Sequence, residues 1–145
     1  MTQEFTLPIR VYIEDTDAQG IVYYVNYLKY MERARSDWLR SYGFERPAFW
    51  GNNQIFVVHS LSVDYKRAAK LDDQLVVTAR GSGHGRAFFT VEQKVLRNDE
   101  LLCVGQVKVA CVNQQTNRPV AMPDELLSRV FSATANKSTS KRSVK

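Results

Sequence analysis

The sequence predicts an α+β domain in which one long helix packs against an antiparallel sheet of about five strands. An apolar stripe at helical spacing runs through residues 23–42. Four strand-like runs follow it, and two of their links are short enough to force antiparallel neighbours. One further strand-like run precedes it.

The first strand is expected over residues 7–14, where Leu7, Ile9, Val11 and Ile13 alternate with Pro8, Arg10, Tyr12 and Glu14. Residues 15–20 read as a turn, because Asp favours local backbone hydrogen bonds and Gly20 tolerates positive φ. Helix follows: Leu28, Met31, Arg35, Trp38, Leu39 and Tyr42 recur at three- and four-residue steps. Gly43 suits the end of that helix. Asn26 could cap its start.

Residues 45–53 form a connector containing Pro47 and Gly51. Strands are expected over 55–66, 74–82, 86–97 and 101–113. Gly81-Ser82-Gly83-His84-Gly85 and Arg97-Asn98-Asp99-Glu100 read as hairpin turns. A short helix over 124–131 follows Pro123. From residue 133 the chain is polar and basic, so the expectation is a single domain over 1–132 and a disordered tail over 133–145.

With 145 residues, 44% of them hydrophobic, the chain can build one sizeable core. No apolar run approaches the ~18 residues of a membrane span. The N-terminal MTQEFTLPIR lacks the basic start and apolar core of a secretory signal. The expected location is therefore cytoplasmic. The net charge is +5, but Lys137, Lys141, Arg142 and Lys145 all lie in an acid-free tail. Without them the body is nearly neutral, which argues against a nucleic-acid-reading face. Cys103 and Cys111 lie in one expected strand, roughly 26 Å apart at the strand rise. A disulfide needs Cα atoms within about 7 Å, so both read as buried packing thiols.

The stretch with most chemistry is Glu14-Asp15-Thr16-Asp17-Ala18-Gln19-Gly20-Ile21-Val22: two acids, a turn glycine, then the start of a helix. From residue types alone, Asp17 could be a turn acceptor or an acid–base group. The two histidines, His59 and His84, stand at unrelated positions, so no metal-ligand spacing exists. His59 reads as a core or interface residue. The glycine-rich run around His84 has neither a phosphate-loop frame nor a serine-elbow pattern.

The strings EDTDAQGIVYYVNYLKYMERAR, DYKRAAKLDDQLVVTAR and RAFFTVEQKVLRNDELLCVGQVKVACVN together resemble the hotdog-fold acyl-CoA thioesterases. The branch most similar is the Tol–Pal-associated one, related to the 4-hydroxybenzoyl-CoA thioesterases. The likeness covers roughly residues 7–123, and D-x-D-x-x-G-I-V-Y followed by N-Y carries it. The resemblance implies a sheet wrapped around the central helix and hydrolysis without a cofactor. It also implies a homodimer or homotetramer with sites at subunit interfaces.

It puts Asp17 at the catalytic acid, attacking the thioester directly or activating water. It puts the backbone N–H of Tyr24, in the helix's first turn, at the developing oxyanion. Asp15 then reads as structural. Many relatives carry histidine where this chain has Tyr24, so a proton-shuttling histidine has no counterpart there.

Lys66, Arg67, Lys70 and Arg86 are candidate CoA-phosphate contacts by charge and position. An acyl carrier protein is a second possible thioester carrier. Two rivals stand beside hydrolysis. One is a hotdog hydratase or dehydratase, which would pair a histidine with an acid. The other is a non-catalytic scaffold for acyl carrier protein or envelope-assembly factors.

Overall fold

The computed structural model describes residues 2–48 and 50–131 of the chain; the expected tail over 133–145 lies outside them. The elements run β1 (Phe5–Arg10), a 3₁₀ turn (Ile13–Asp15), α1 (Asn26–Arg40), β2 (Gln54–Tyr65), β3 (Gln74–His84), β4 (Phe88–Arg97) and β5 (Glu100–Asn113). A short helix, α2 (Asp124–Leu126), continues as a wider turn over Leu127–Phe131. All strands pair antiparallel in the order β1-β3-β4-β5-β2. The helix, connected between β1 and β2, thus separates the two edge strands.

The first strand stops four residues short of its expected end. Val11 N–H leaves the ladder to bond Asp73 O at 2.9 Å, and Asp72 N–H bonds Val11 O at 2.9 Å. The chain then tightens into the 3₁₀ turn, and Ile13 is 76% exposed rather than buried. The apolar alternation therefore extends beyond the strand itself. Pro8 is tolerated within β1 because the strand is an edge, where a missing donor costs no inner ladder bond.

β2 carries a bulge between Val58 and Ser60. His59 is the extra residue and is exposed, so it is not the core histidine that was one of its two expected readings. The β4–β5 turn is formed by Asn98 and Asp99, both at positive φ, in the two-residue hairpin that the sequence signals.

On α1, Tyr27, Tyr30, Met31, Ala34, Trp38 and Leu39 are buried and pack chiefly on β1, β3 and β4. Trp38, 1% exposed, is the hub of this core. It meets Tyr42, Phe89 and Phe131, with ring centroids 6.0–6.4 Å away. Both cysteines are free and buried. Burial pushes both thiols up, Cys103 to about 12, which keeps them protonated and unreactive.

β2 is the other edge strand: among the described residues only β5 pairs with it, and its Val58, Leu61 and Tyr65 remain 42–46% exposed. A free edge of 12 residues with an apolar face is an unfinished surface.

Candidate active site

The segment after β1 forms a small hairpin closed by a bridge between Thr16 and Val22. Asp17 N–H donates to Ile21 O (2.9 Å), and Gly20 N–H returns to Asp17 O (3.0 Å). Gly20 has φ +82, the left-handed conformation that glycine adopts without strain. Gln19 N–H donates to Asp17 Oδ1 at 2.8 Å. The carboxylate is thus anchored through one oxygen. Asp17 is exposed, and its Oδ2 has no partner among the described residues.

Asp15 does a different job. Its Oδ2 accepts from Tyr12 N–H at 2.9 Å. Its carbonyl accepts from Tyr23 N–H (3.0 Å) and from Asn26 Nδ2 (2.8 Å). Those bonds tie the hairpin to the head of α1. Asn26 is buried and acts through that side-chain bond rather than by capping the helix. Beneath it, the Tyr30 hydroxyl is buried without a completed hydrogen bond. Burial first, and the nearby Asp15 charge second, raise its pKa.

The return arm of the hairpin runs straight into the first turn of α1. Asn26 N–H bonds Tyr23 O (2.8 Å), Tyr27 N–H bonds Tyr24 O (3.3 Å) and Leu28 N–H bonds Val25 O (3.0 Å). The N–H groups of Tyr24 and Val25 find no acceptor among the described residues. They are the unpaired donors that every helix start leaves, and the aligned helix peptides add a positive end there.

A residue that sequence reasoning missed completes the arrangement. Tyr65, the last residue of β2, donates its hydroxyl to Tyr24 O at 3.1 Å. Its ring meets those of Tyr24 (5.9 Å) and Tyr27 (5.6 Å). In the sequence it is one aromatic at a strand end, and nothing local marks its partner 41 positions away.

The hairpin docks on the link before β3. Val22 N–H bonds Ala69 O (2.8 Å), Leu71 N–H bonds Gly20 O (3.2 Å), and Ile21 bridges Lys70. Ala69 N–H in turn donates to Tyr27 Oη at 2.9 Å. Lys70 therefore stands beside the Asp17 hairpin, and its ammonium makes no ion pair among the described residues.

Lys66 and Arg67 lie at the same end of the sheet, because both backbone N–H groups donate to Leu102 O. Their side chains already engage Asp64 (2.8 Å) and Glu100 (2.9 Å) in exposed pairs. Such pairs are weak and exchange readily. Arg86 is not brought to this cluster. It lies before β4, whose ten residues carry the chain to the far end of the sheet, roughly 30 Å at the strand rise. His84 sits at that far end too, its ring 4.9 Å from Phe131. Among the described residues no group of three His, Cys, Asp or Glu is placed to hold a metal ion.

The site is thus an anchored carboxylate with one free oxygen, two unpaired helix-start donors, a tyrosine-lined wall and a nearby lysine. Comparison with known proteins gives a consistent result. A family model described as the thioesterase superfamily matches residues 19–104. The chain is 45% identical over 123 residues to the acyl-CoA thioesterase YbgC of Haemophilus influenzae, covering 84% of this chain and 90% of that one. It is 36% identical over 127 residues to the acyl-CoA thioester hydrolase YbgC of Escherichia coli O6:H1, covering 87% and 95%.

Among solved structures, a probable thioesterase from Bartonella henselae is 33% identical with a TM-score of 0.74, covering 83% of this chain and 98% of that one. A 1,4-dihydroxy-2-naphthoyl-CoA thioesterase from Synechocystis, only 20% identical, has the same fold with a TM-score of 0.81 over 91% and 98% of the two chains. On the fold, the family match and these identities together, the chain belongs to the thioesterase superfamily.

Proposed function

We propose that this protein is an acyl-CoA thioesterase that hydrolyses the thioester to a free acid and CoA, with Asp17 as the attacking or activating group. The observation that carries this reading is the hairpin. Its outgoing arm carries a carboxylate with one anchored and one free oxygen, and its return arm runs directly into the unpaired N–H groups that open α1. The thioester oxygen accepts from the Tyr24 and Val25 donors, which stabilise the charge that develops on it.

The free Asp17 oxygen then attacks the carbonyl carbon or takes a proton from the attacking water. When water attacks, the C–S bond breaks, CoA leaves as thiolate and the proton that Asp17 took passes to sulfur. When Asp17 attacks, the same cleavage leaves an Asp17 anhydride and CoA thiolate. Water then hydrolyses the anhydride to the free acid and the regenerated carboxylate, its released proton passing to sulfur. Lys70, with Lys66 and Arg67 exchanging from their surface pairs, meets the CoA phosphates; Arg86 can join only from another subunit.

The acyl-CoA thioesterase activity for which these relatives are named supports the substrate class. Two buried free cysteines suit a reducing, cytoplasmic setting. No described helix is long and apolar enough to cross a membrane. A hydratase pairing an acid with histidine is disfavoured, because His59 lies out on a bulge of the edge strand and His84 at the far end of the sheet.

Tyr65 is a positioning residue in this reading. Its hydroxyl bonds the Tyr24 carbonyl, which belongs to the same peptide unit as the Val25 N–H. That bond fixes the turn and polarises the donor. Tyr65→Phe is expected to lower kcat about 2- to 10-fold, the worth of one hydrogen bond, with KM and Tm nearly unchanged. Equal changes in Tm and kcat would instead make it a purely structural tyrosine.

A homodimer through β2 is part of the same reading. The free edge, the exposed Val58 and Leu61, and the absence of a covering element among the described residues support it. Leu61→Lys puts a charge into that edge twice by symmetry. Light scattering is expected to show a shift from dimer or tetramer to monomer, together with loss of turnover. A wild-type protein that scatters as a monomer would overturn this part.

A further inference from the structure

Arg35 is the charged member of the otherwise apolar stripe on α1, and thioester cleavage as described leaves it without a task. Leu28, Met31, Arg35 and Leu39 follow at three- and four-residue steps within α1, so they share one face of the helix, and Tyr24 stands just before its head. Opposite the head stands Tyr65 of β2. Opposite the middle, Met31 Sδ lies over Gly105 of β5, where a Cβ would approach to 3.0 Å. Lower down, Arg35 and Leu39 share a cavity of about 170 Å³ with Phe56, Val58, Phe89 and Val109. The face of α1 below the N–H donors therefore leads to an apolar cavity with Arg35 among its lining residues.

That guanidinium is held but not neutralised. Arg35 Nη1 donates to Gln93 Oε1 at 3.0 Å. Gln93 is fully buried, and its Nε2 donates to Met31 O (2.8 Å) and Thr78 O (3.2 Å). The amide's orientation is thereby fixed, and with it that of the arginine. No carboxylate among the described residues lies within ion-pair distance of Arg35.

Glu32 lines the same cavity but is exposed and accepts from Ser36 Oγ at 2.7 Å. Burial is the main cause that lowers the Arg35 pKa, with Glu32 opposing it. A half-buried cation without a counter-ion is costly, and a leucine there would simply extend the stripe. The planar, pre-oriented fork that remains is matched to a carboxylate.

We propose that Arg35 closes the acyl pocket and selects acyl groups whose distal end is a carboxylate, that is, ω-carboxyacyl thioesters. This rests on the thioesterase reading above, with the acyl chain running down that face of α1. The test compares kcat/KM for a medium-chain acyl-CoA and its ω-carboxy counterpart, in wild type, Arg35→Met and Arg35→Lys. Wild type is expected to favour the ω-carboxy substrate about 10-fold or more, the worth of a charge-assisted hydrogen bond. Arg35→Met loses that preference but keeps turnover of the plain chain, and Arg35→Lys retains part of it.

Equal turnover of both substrates by wild type overturns the proposal while leaving the thioesterase reading intact. So does an equal loss on both in Arg35→Met, or a change of its oligomeric state. Calorimetry with the free medium-chain dicarboxylate decides the site even if no acyl-CoA is cleaved and the thioesterase reading falls. Binding to wild type that weakens about 10-fold in either variant supports the Arg35 site. No binding to wild type sinks it.

Discussion

Asp17→Asn is expected to cut CoA release by ~10²-fold or more while leaving Tm unchanged, measured over short-chain, long-chain and aromatic acyl-CoAs. The substitution is chosen for what it keeps. Asparagine retains an Oδ1 that can accept from Gln19 N–H, so the turn that Asp17 now closes at 2.8 Å survives. It removes only the negative charge and basicity of the free oxygen. If Asp17 were merely a turn acceptor, the variant would be nearly silent. If hydrolysis uses that oxygen as nucleophile or base, the loss appears in kcat rather than in folding. An unaltered rate in a folded variant would remove Asp17 from the reaction.

The largest effect on stability is expected at Trp38. It is 1% exposed and packs on Tyr42, Phe89 and Phe131, joining α1 to β4 and the C-terminal helical turn. Trp38→Ala is expected to cost about 3–5 kcal/mol, the usual loss for a buried aromatic with its cavity. That corresponds to a Tm fall on the order of 10 °C or more.

Trp38→Phe separates packing from hydrogen bonding. The indole Nε1–H is buried and has no acceptor among the described residues, so its removal relieves an uncompensated desolvation cost. The phenylalanine variant should therefore lose far less than the alanine one. Thermal denaturation of the two variants side by side checks this; equal losses would mean that the N–H has a partner, such as a trapped water.

Much of the fold was legible because its signals are local. Helix α1 declared itself through three- and four-residue apolar spacing, and the β4–β5 turn through Asn98-Asp99. β1 ends four residues before its alternation does, since Val11 and Ile13 continue the pattern while the backbone has left the ladder for Asp73. Alternation points His59 to the core or an interface, but it cannot anticipate the bulge that leaves the residue exposed. In each case a tertiary hydrogen bond or a ladder irregularity overrode a pattern that was correct on its own terms.

The candidate site divides along the same line. Asp17, Gly20 and the helix start are adjacent in sequence, so their hairpin follows from turn chemistry and from the donors that any helix start leaves unpaired. Lys70, Tyr65 and Arg86 depend on which ends of which strands meet. The order β1-β3-β4-β5-β2 brings Lys70 and Tyr65 to the hairpin and sends Arg86 to the far end of the sheet. The sequence by itself determined the elements, the acid in its turn and the apolar stripe that Arg35 interrupts. Only the tertiary structure decided which side chains share a site. Helical and strand periodicity act over a few residues, whereas strand order joins residues 41 and 58 positions apart, as in Tyr24 with Tyr65 and Arg35 with Gln93.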